Sequence, residues 1–221
     1  MLPSWPIIRD ICSIGVPSTL TVCLGSVITY GMNAIVLPFS TTAAAVFGVW
    51  LKLQYFAFMP VFGMNNGTIA IYSYNYGAGR LDRVKATLRL ALGVCAAVTL
   101  VAGAVYALFP AAMLGLFHAS ENMLALGVPA LRICACSLVF GGMSVIFSSS
   151  YQSLGYSGLT LLVSLCRQVF FSLPLAWLLS RTGILERVWL AIPISEAATL
   201  CLAFFLSRFV LKKAEERGKA R

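Results

Sequence analysis

The sequence predicts an all-α protein that crosses a membrane repeatedly as a bundle of six helices. Of its 221 residues, 60% are hydrophobic and only 10% are charged, and the mean hydropathy is +0.90. A soluble domain usually has about 45–50% apolar and about 25% charged residues, so this composition suits a surface that faces lipid. Several apolar runs also reach the roughly 20 residues that a helix needs to cross a bilayer.

The six predicted spans follow one another through short loops. They cover residues 11–37, 43–65 (with a polar extension to 76), 88–109, 124–150, 158–179 and 188–210. Together they make one transmembrane domain over residues 1–221, and residues 211–221 form a basic tail that suits an anionic lipid surface.

The basic residues predict the orientation of these spans. With six spans both termini lie on one side, and that side collects Arg9, Arg80, Arg83, Lys85, Arg89, Lys212, Lys213, Arg217, Lys219 and Arg221. Since loops rich in lysine and arginine stay on the cytoplasmic side, both termini are expected in the cytoplasm. The net charge of +9 therefore reflects topology. Nucleic-acid binding is not expected, because the basic residues form no stripe with interleaved aromatic side chains.

Residue types that carry metal, cofactor or catalytic chemistry are poorly represented. The seven cysteines lie in apolar segments without a CxxC pair, and His118 is the one histidine, so no metal or redox centre is expected. GAG at 77–79 lacks the strand and third glycine of a dinucleotide site. GYSG at 155–158 resembles the motif of rhomboid serine proteases, but Ser157 and His118 are expected at opposite membrane faces, beyond hydrogen-bond reach. The sequence therefore predicts neither a cofactor nor an enzyme.

Three charged residues, Lys52, Arg167 and Glu196, fall inside predicted spans. A charge within a bilayer costs a few kcal/mol or more, so it is expected to face protein or water. At about 1.5 Å of rise per residue, each lies roughly 12–14 Å inside its span, near the middle of a core about 30 Å thick. Arg167 and Glu196 are on consecutive antiparallel spans and are expected to pair.

Two interpretations of these charges stay open. One is a buried ion pair that fixes the register of two helices; the other is the polar lining of a central cavity, since transporters bind their substrates near the midplane. Uncharged residues that would join such a lining are Gln54, Gln152 and Gln168.

Pro17, Pro60, Pro174 and Pro193 lie inside the first, second, fifth and sixth predicted spans. Each removes one backbone hydrogen bond, so together they predict a bundle that bends. After Pro60, Asn65 and Asn66 either satisfy the freed backbone groups or contact a substrate, and the sequence leaves both possibilities open.

An ordered set of motifs resembles the multidrug and toxic compound extrusion (MATE) family of transporters. The motifs are IGVPS (14–18), Asn33, MPVFGMNNG (59–67), YNYGAGRLDRVK (74–85), RQ (167–168) and IPISEA (192–197). The resemblance is to the carboxy-terminal half of that family, spans seven to twelve of twelve, and it covers nearly the whole chain.

This resemblance implies one lobe of a two-lobe antiporter in the bacterial plasma (inner) membrane. Such a transporter is coupled to H⁺ or Na⁺ and exports organic, often cationic, compounds by alternating access. The implied partners are an amino-terminal six-helix lobe, the lipid bilayer, and small organic cations or drugs. Residues expected to line or brace the cavity are Asn33, Lys52, Gln54, Asn66, Gln152, Arg167, Gln168 and Glu196.

Two departures from the family pattern bear on the coupling ion. Some branches carry a glutamate eight residues after the proline of the opening motif, where this chain has Gly25, and residues 124–150 contain no carboxylate. The coupling ion is therefore expected in the amino-terminal lobe, and Met1 is expected to be an internal start, the start of a truncated product or an artificial boundary. Two alternatives stay open: a flippase for lipid-linked precursors from the same superfamily, with a more cationic cavity, and a non-transporting membrane fragment or scaffold.

Overall fold

Helices account for nearly all of the structure, a computed structural model that describes residues 5–219. The side chains of residues 6, 7, 9–11, 13, 14 and 217–219 are not described, so those of Arg9, Arg217 and Lys219, and the whole of Arg221, lie outside it. Within the described range there is no strand, and the prediction of an all-α protein is confirmed.

Nine α-helices and one π-helical segment follow one another along residues 5–219. They are α1 (Trp5–Val36), α2 (Thr41–Gly77), α3 (Leu81–Leu108), α4 (Pro110–Gly115), α5 (Glu121–Ala135), α6 (Ser137–Ser153), α7 (Ser157–Leu165), the π segment (Cys166–Ser172), α8 (Leu173–Ser180) and α9 (Leu185–Lys219). Five stretches are long and apolar enough to cross a membrane: α1, α2, α3, the run from α7 to α8, and α9. The bent pair α5–α6 makes a sixth if it counts as one span.

Helix α2 continues without a break through the polar stretch that follows Pro60. It starts at an N-cap, where Ser40 Oγ accepts a hydrogen bond of 3.0 Å from the Ala43 amide. It ends before Gly79, whose φ of +71° belongs to the left-handed region that glycine adopts at low cost. The aromatic and polar residues predicted as an extension of the second span are therefore part of the same helix.

A bend lies where the sequence predicted one continuous fourth span. Helices α5 and α6 meet at Cys136 with an angle of 44°, and Ser137 Oγ donates to Cys134 O over 2.6 Å. A hydroxyl that bonds to a nearby carbonyl competes with the helical hydrogen bonds, which favours a break at this point. By contrast, Pro17, Pro60 and Pro193 lie inside uninterrupted helices.

The π segment occupies the middle of the predicted fifth span. It ends two residues before Pro174, which has no N–H to donate to the carbonyl of Phe170. A π-type turn is one way in which a membrane helix accommodates the hydrogen bond that proline removes. This wider turn contains both Arg167 and Gln168.

Two apolar clusters form the core, one toward each end of the bundle. The first is built around the buried side chains of Phe47, Trp50 and Trp189, and the second around those of Tyr72 and Tyr151. Buried polar residues of α9 fall between them along the chain: Ser195, Glu196 and Thr199. The core is thus apolar at both ends and polar near its middle.

Hydroxyl groups of two buried tyrosines tie neighbouring helices together. Tyr106 on α3 donates to Leu53 O on α2 over 2.9 Å, and Tyr151 on α6 donates to Ala203 O on α9. Each bond satisfies a phenol that burial would otherwise leave without a partner. At the same end of the bundle as Tyr151, Lys85 on α3 pairs with Glu215 near the end of α9.

Gly142 allows α6 to approach α3 closely, and Gly142→Ala is expected to destabilise the fold. A Cβ at this position would lie 2.8 Å from Thr99 Cγ2 and 2.9 Å from Cys95 Sγ. We expect a loss of about 1–3 kcal/mol in the free energy of unfolding, typical of overpacking. Thermal unfolding in detergent measures it. Gly93→Ala is the matched control, since nothing lies within 4 Å of its Cβ position; equal losses in both variants would contradict the close-approach explanation.

Candidate functional site

An open cavity of about 610 Å³ lies between α1, α2, the π segment and α9. Aromatic side chains form much of its wall: Phe47, Trp50, Tyr55, Phe58 and Phe62. Its polar lining comes from Thr21, Thr29, Gln54, Arg167, Gln168, Ser172 and Glu196. We call it the aromatic cavity.

Arg167 and Glu196 meet at the wall of this cavity. Arg167 Nη1 lies 3.7 Å from Glu196 Oε1, which is an ion pair but longer than a charge-assisted hydrogen bond of about 2.7–2.9 Å. The Arg167 side chain is 27% exposed, whereas the Glu196 residue is 7% exposed. The carboxylate is therefore a buried partner, and the guanidinium reaches it from the open side.

Gly141 leaves the space that the Glu196 carboxylate fills. A Cβ at Gly141 would lie 3.2 Å from Glu196 Oε2 and 3.1 Å from Phe58 Cζ. Glu196 Oε2 is buried and has no hydrogen-bond partner among residues 5–219. One carboxylate oxygen thus faces Arg167, and the other is enclosed next to the backbone of α6.

The π segment is held against α9 by a pair of serines. Ser172 Oγ lies 2.8 Å from the carbonyl oxygen of Arg167, five residues earlier, and 2.8 Å from Ser195 Oγ on α9. Ser195 in turn donates to Ile192 O over 2.9 Å. These bonds fix the turn that carries Arg167 and Gln168 relative to Glu196.

Ser172→Ala is expected to cost about 1–3 kcal/mol of stability, because it removes a buried hydroxyl that links the π segment to α9. Thermal unfolding in detergent checks the size of the loss. Ser180→Ala is the control, since the Ser180 hydroxyl bonds only within its own exposed helix end and the change should stay within about 0.5 kcal/mol. Similar values for the two variants would argue against a role for the serine pair.

A second, smaller cavity of about 260 Å³ adjoins the first. The two share Thr21, Phe58, Phe62 and Arg167 in their walls. Hydroxyl and amide side chains dominate the rest of the second lining: Asn65, Ser144, Ser148, Ser149, Gln152, Thr160, Ser164 and Thr199. We call it the hydroxyl cavity. Arg167 therefore lies at the junction of an aromatic and a polar space.

The structure brings together five of the eight residues predicted to line or brace a cavity. Four of them line the aromatic cavity: Gln54, Arg167, Gln168 and Glu196. Gln152 lines the hydroxyl cavity, where its Nε2 donates to Ser18 Oγ over 3.2 Å. Asn33, Lys52 and Asn66 are in neither lining.

Lys52 extends away from the cavities toward a loop. Its side chain is exposed, and Nζ lies 5.7 Å from the centre of the Phe117 ring, which follows α4. That distance is within the range of a cation–π contact.

Asn33 is half-buried in the last turn of α1, and Asn66 is exposed on α2. Asn65, which precedes Asn66, lines the hydroxyl cavity and accepts a hydrogen bond from Ser149.

Several site features were not predicted from the sequence, although signals for some were present. Ser144, Ser148 and Gln152 are spaced by four residues on α6 and so share one helix face, which lines the hydroxyl cavity. The sequence also did not predict the aromatic wall that α2 supplies or the space that Gly141 leaves for the Glu196 carboxylate. Among the described residues, no three His, Cys, Asp or Glu side chains come together as a metal site would require.

Comparison with known proteins identifies the family. A family model described as MatE matches residues 17–178, which is most of the chain. The chain belongs to the MATE family. This confirms the resemblance that the ordered motifs indicated, and it places the aromatic cavity in a protein of a transporter family.

Curated MATE relatives are about twice as long as this chain. It is 23% identical over 211 residues to the multidrug export protein MepA of Staphylococcus haemolyticus (strain JCSC1435), covering 92% of this chain and 45% of that protein. MepA of Staphylococcus aureus (strain MSSA476) is 22% identical, with 92% and 46% covered. The chain thus spans about half the length of the relatives that it matches.

Solved MATE structures share the fold. The outward-facing conformation of a multidrug resistance MATE family transporter of the MOP superfamily superposes with a TM-score of 0.91 at 21% identity, over 98% of this chain and 49% of that one. A MATE crystal structure in a bent conformation gives 0.91 at 20% identity, over 99% and 49%. At this identity the likeness establishes the fold of a MATE half.

Proposed function

We propose that this chain is the carboxy-terminal lobe of a multidrug efflux antiporter, which exports organic, often cationic, compounds by alternating access. The single observation that carries the proposal is the aromatic cavity, which opens between four helical elements and contains a buried carboxylate, Glu196. Aromatic faces attract organic cations, and a carboxylate in a site of low polarity strengthens that attraction. In the complete transporter, this cavity would form one wall of the passage between two lobes.

The amino-terminal six-helix lobe is the proposed partner. Coverage of about half of each relative supports it. We propose that H⁺ or Na⁺ couples to transport through that lobe, because Glu196 is the one carboxylate that lines the two cavities here and Arg167 is already paired with it. No cofactor is proposed in this chain.

The proposed location is the bacterial plasma membrane, with both termini in the cytoplasm. The structure supports one common side for the two basic regions, since Lys85 near the start of α3 pairs with Glu215 near the end of α9. Lys213 Nζ also lies 5.9 Å from the ring centre of Tyr156, in the turn between α6 and α7. The end of the bundle that gathers these residues would face the cytoplasm by the positive-inside rule.

The charge of the cavity favours drug efflux over the flipping of lipid-linked precursors. Precursor pyrophosphates would require an excess of positive charge, whereas Arg167 and Glu196 are the charged residues in the two linings and cancel one another. Lys52, which would have added a positive charge, is directed toward Phe117. A neutral, aromatic-walled cavity suits organic cations and drugs.

Efflux assays in cells without their own drug pumps test the proposal. The chain joined to a matching amino-terminal lobe is expected to lower the accumulation of a fluorescent organic cation, and ionophores that collapse the H⁺ and Na⁺ gradients should abolish the effect. The chain alone should give no efflux. Coupled efflux by the chain alone would rule out the half-transporter proposal, and competition by lipid-linked precursors but not by drugs would favour the flippase.

A further inference from the structure

Several side-chain oxygen atoms around the junction of the two cavities are free to accept hydrogen bonds. Three hydroxyl groups of the hydroxyl cavity donate their hydrogen to carbonyls of their own helices: Thr21 to Pro17 O (2.9 Å), Ser144 to Phe140 O (2.9 Å) and Thr199 to Ser195 O (2.7 Å). A hydroxyl that has donated its hydrogen still carries lone pairs. Thr21, Ser144 and Thr199 therefore offer a ligand acceptor oxygen.

Two further acceptors are buried at the junction without partners. Gln168, 5% exposed, has an Oε1 atom with no hydrogen-bond partner among residues 5–219, and the same holds for Oε2 of Glu196. Both residues line the aromatic cavity. Buried acceptors of this kind, one of them a carboxylate, favour a positively charged donor nearby, because unpaired buried polar groups cost free energy.

Arg167 is the one cation in the two linings, and its only ion pair within the described residues is a long one. Its guanidinium has five N–H donors, but its ion pair within the described residues is the 3.7 Å contact with Glu196. Its side chain is 27% exposed at the place where both cavities meet, so it has room to move. The guanidinium therefore occupies an acceptor-rich site without making its full set of bonds.

We propose that this junction is a binding site for small cations with N–H donors, of the guanidinium or primary-ammonium class, and that Arg167 is its tethered occupant in this structure. Glu196 and Gln168 accept hydrogen bonds from the cation, and the hydroxyl oxygens complete its surroundings. An external cation of this class competes with Arg167 for Glu196. In the native chain the tethered guanidinium wins at low ligand concentration, because a group attached to the site has a high effective concentration.

Removing the occupant should open the site to an external guanidinium ion. The test is the apparent Tm of the 221-residue Arg167→Ala chain in detergent, with guanidinium chloride or sodium chloride at equal, non-denaturing ionic strength. Guanidinium at ten times its Kd is expected to raise the Tm of Arg167→Ala by about 3–6 °C relative to sodium. The native chain and the Arg167→Ala/Glu196→Gln double variant should show no such rise.

Control variants separate this site from general effects of the salt. Arg132→Ala removes an exposed arginine from α5, and it should leave the response to guanidinium unchanged. The proposal is overturned if guanidinium does not stabilise Arg167→Ala, if it stabilises the double variant equally, or if sodium alone stabilises Arg167→Ala. The outcome does not depend on transport, so it is independent of whether the two-lobe protein proves to be an antiporter.

A second measurement covers the case in which Arg167→Ala does not fold in the absence of ligand. The variant is then expressed and purified with guanidinium or with sodium throughout, and recovery of monodisperse protein is measured by size-exclusion chromatography. Recovery with guanidinium only is the expected result. Loss of the protein under both conditions, while the double variant is recovered, would overturn the proposal.

Discussion

Arg167→Met is expected to lower the free energy of unfolding by about 3–5 kcal/mol, the usual cost of leaving one member of a buried ion pair alone. The Glu196 carboxylate would lose its counter-ion while remaining buried next to Gly141. Methionine keeps much of the stem volume, so the lost charge should account for most of the effect. For a chain of this size the loss corresponds to a fall of roughly 6–20 °C in Tm, measured by thermal unfolding in detergent.

A double-mutant cycle isolates the pair from other effects. Arg167→Met/Glu196→Gln should recover most of the loss, because a buried pair replaced on both sides is often close to neutral. Glu196→Gln alone should cost less than Arg167→Met, since the Arg167 side chain is 27% exposed and can reach water in the cavity. If the double variant were as unstable as Arg167→Met, the carboxylate would not be the cause.

Trp189→Ala is expected to cost about 3–5 kcal/mol, as large-to-small changes at buried aromatic residues do. Trp189 is 1% exposed in the first turns of α9, and its ring stacks on Phe47 with centres 6.3 Å apart. In a membrane the lost contacts count mainly through packing, since lipid is as apolar as the core. Loss of this side chain would leave a void next to the wall of the aromatic cavity, where Phe47 also lies.

Trp177→Ala is the matched control for this prediction. Trp177 on α8 is largely exposed, and Arg181 covers its ring with the guanidinium carbon 4.5 Å from the ring centre. Its removal should change the free energy of unfolding far less than removal of Trp189, when both are measured by thermal unfolding under identical conditions. A Trp177→Ala loss as large as that of Trp189→Ala would contradict the assignment of Trp189 to the packed core.

Much of the fold follows from residue pattern because a membrane restricts the choices. Long apolar runs between polar loops have to be helices, since a lipid-exposed backbone must satisfy its own hydrogen bonds. The meeting of Arg167 and Glu196 was also predictable, because consecutive antiparallel spans place residues of equal depth side by side.

The depth of a residue along a helix does not determine which side of the helix its side chain faces. Lys52 and Gln54 therefore lie at a similar depth but face different surroundings. Two residues that are two positions apart on an α-helix point roughly 200° apart, so Gln54 lines the aromatic cavity while Lys52 extends toward Phe117. The same rotation of roughly 100° per residue separates Asn65, in the hydroxyl cavity, from exposed Asn66. Taking helical phase into account would have divided these pairs correctly.

Local distortions of the helices depend on hydroxyl contacts, one of them local and the other with a residue far away in the sequence. The bend at Cys136 is stabilised by Ser137, which bonds within its own span. The π segment at Cys166–Ser172 is stabilised by the contact of Ser172 with Ser195 on another helix. Proline alone predicts neither, because Pro17, Pro60 and Pro193 leave their helices continuous. The positions of Arg167 and Gln168 therefore required the tertiary structure.

We propose that this chain supplies one wall of a coupled efflux pathway. The most direct measurement reconstitutes the chain into proteoliposomes, alone and joined to a matching amino-terminal lobe, and follows the flux of a fluorescent organic cation under an imposed H⁺ or Na⁺ gradient. If the chain is one lobe of an antiporter, we expect gradient-driven flux for the two-lobe protein and none for the chain alone. Equal flux from the chain alone, or no gradient-driven flux from a correctly folded two-lobe protein, would contradict it.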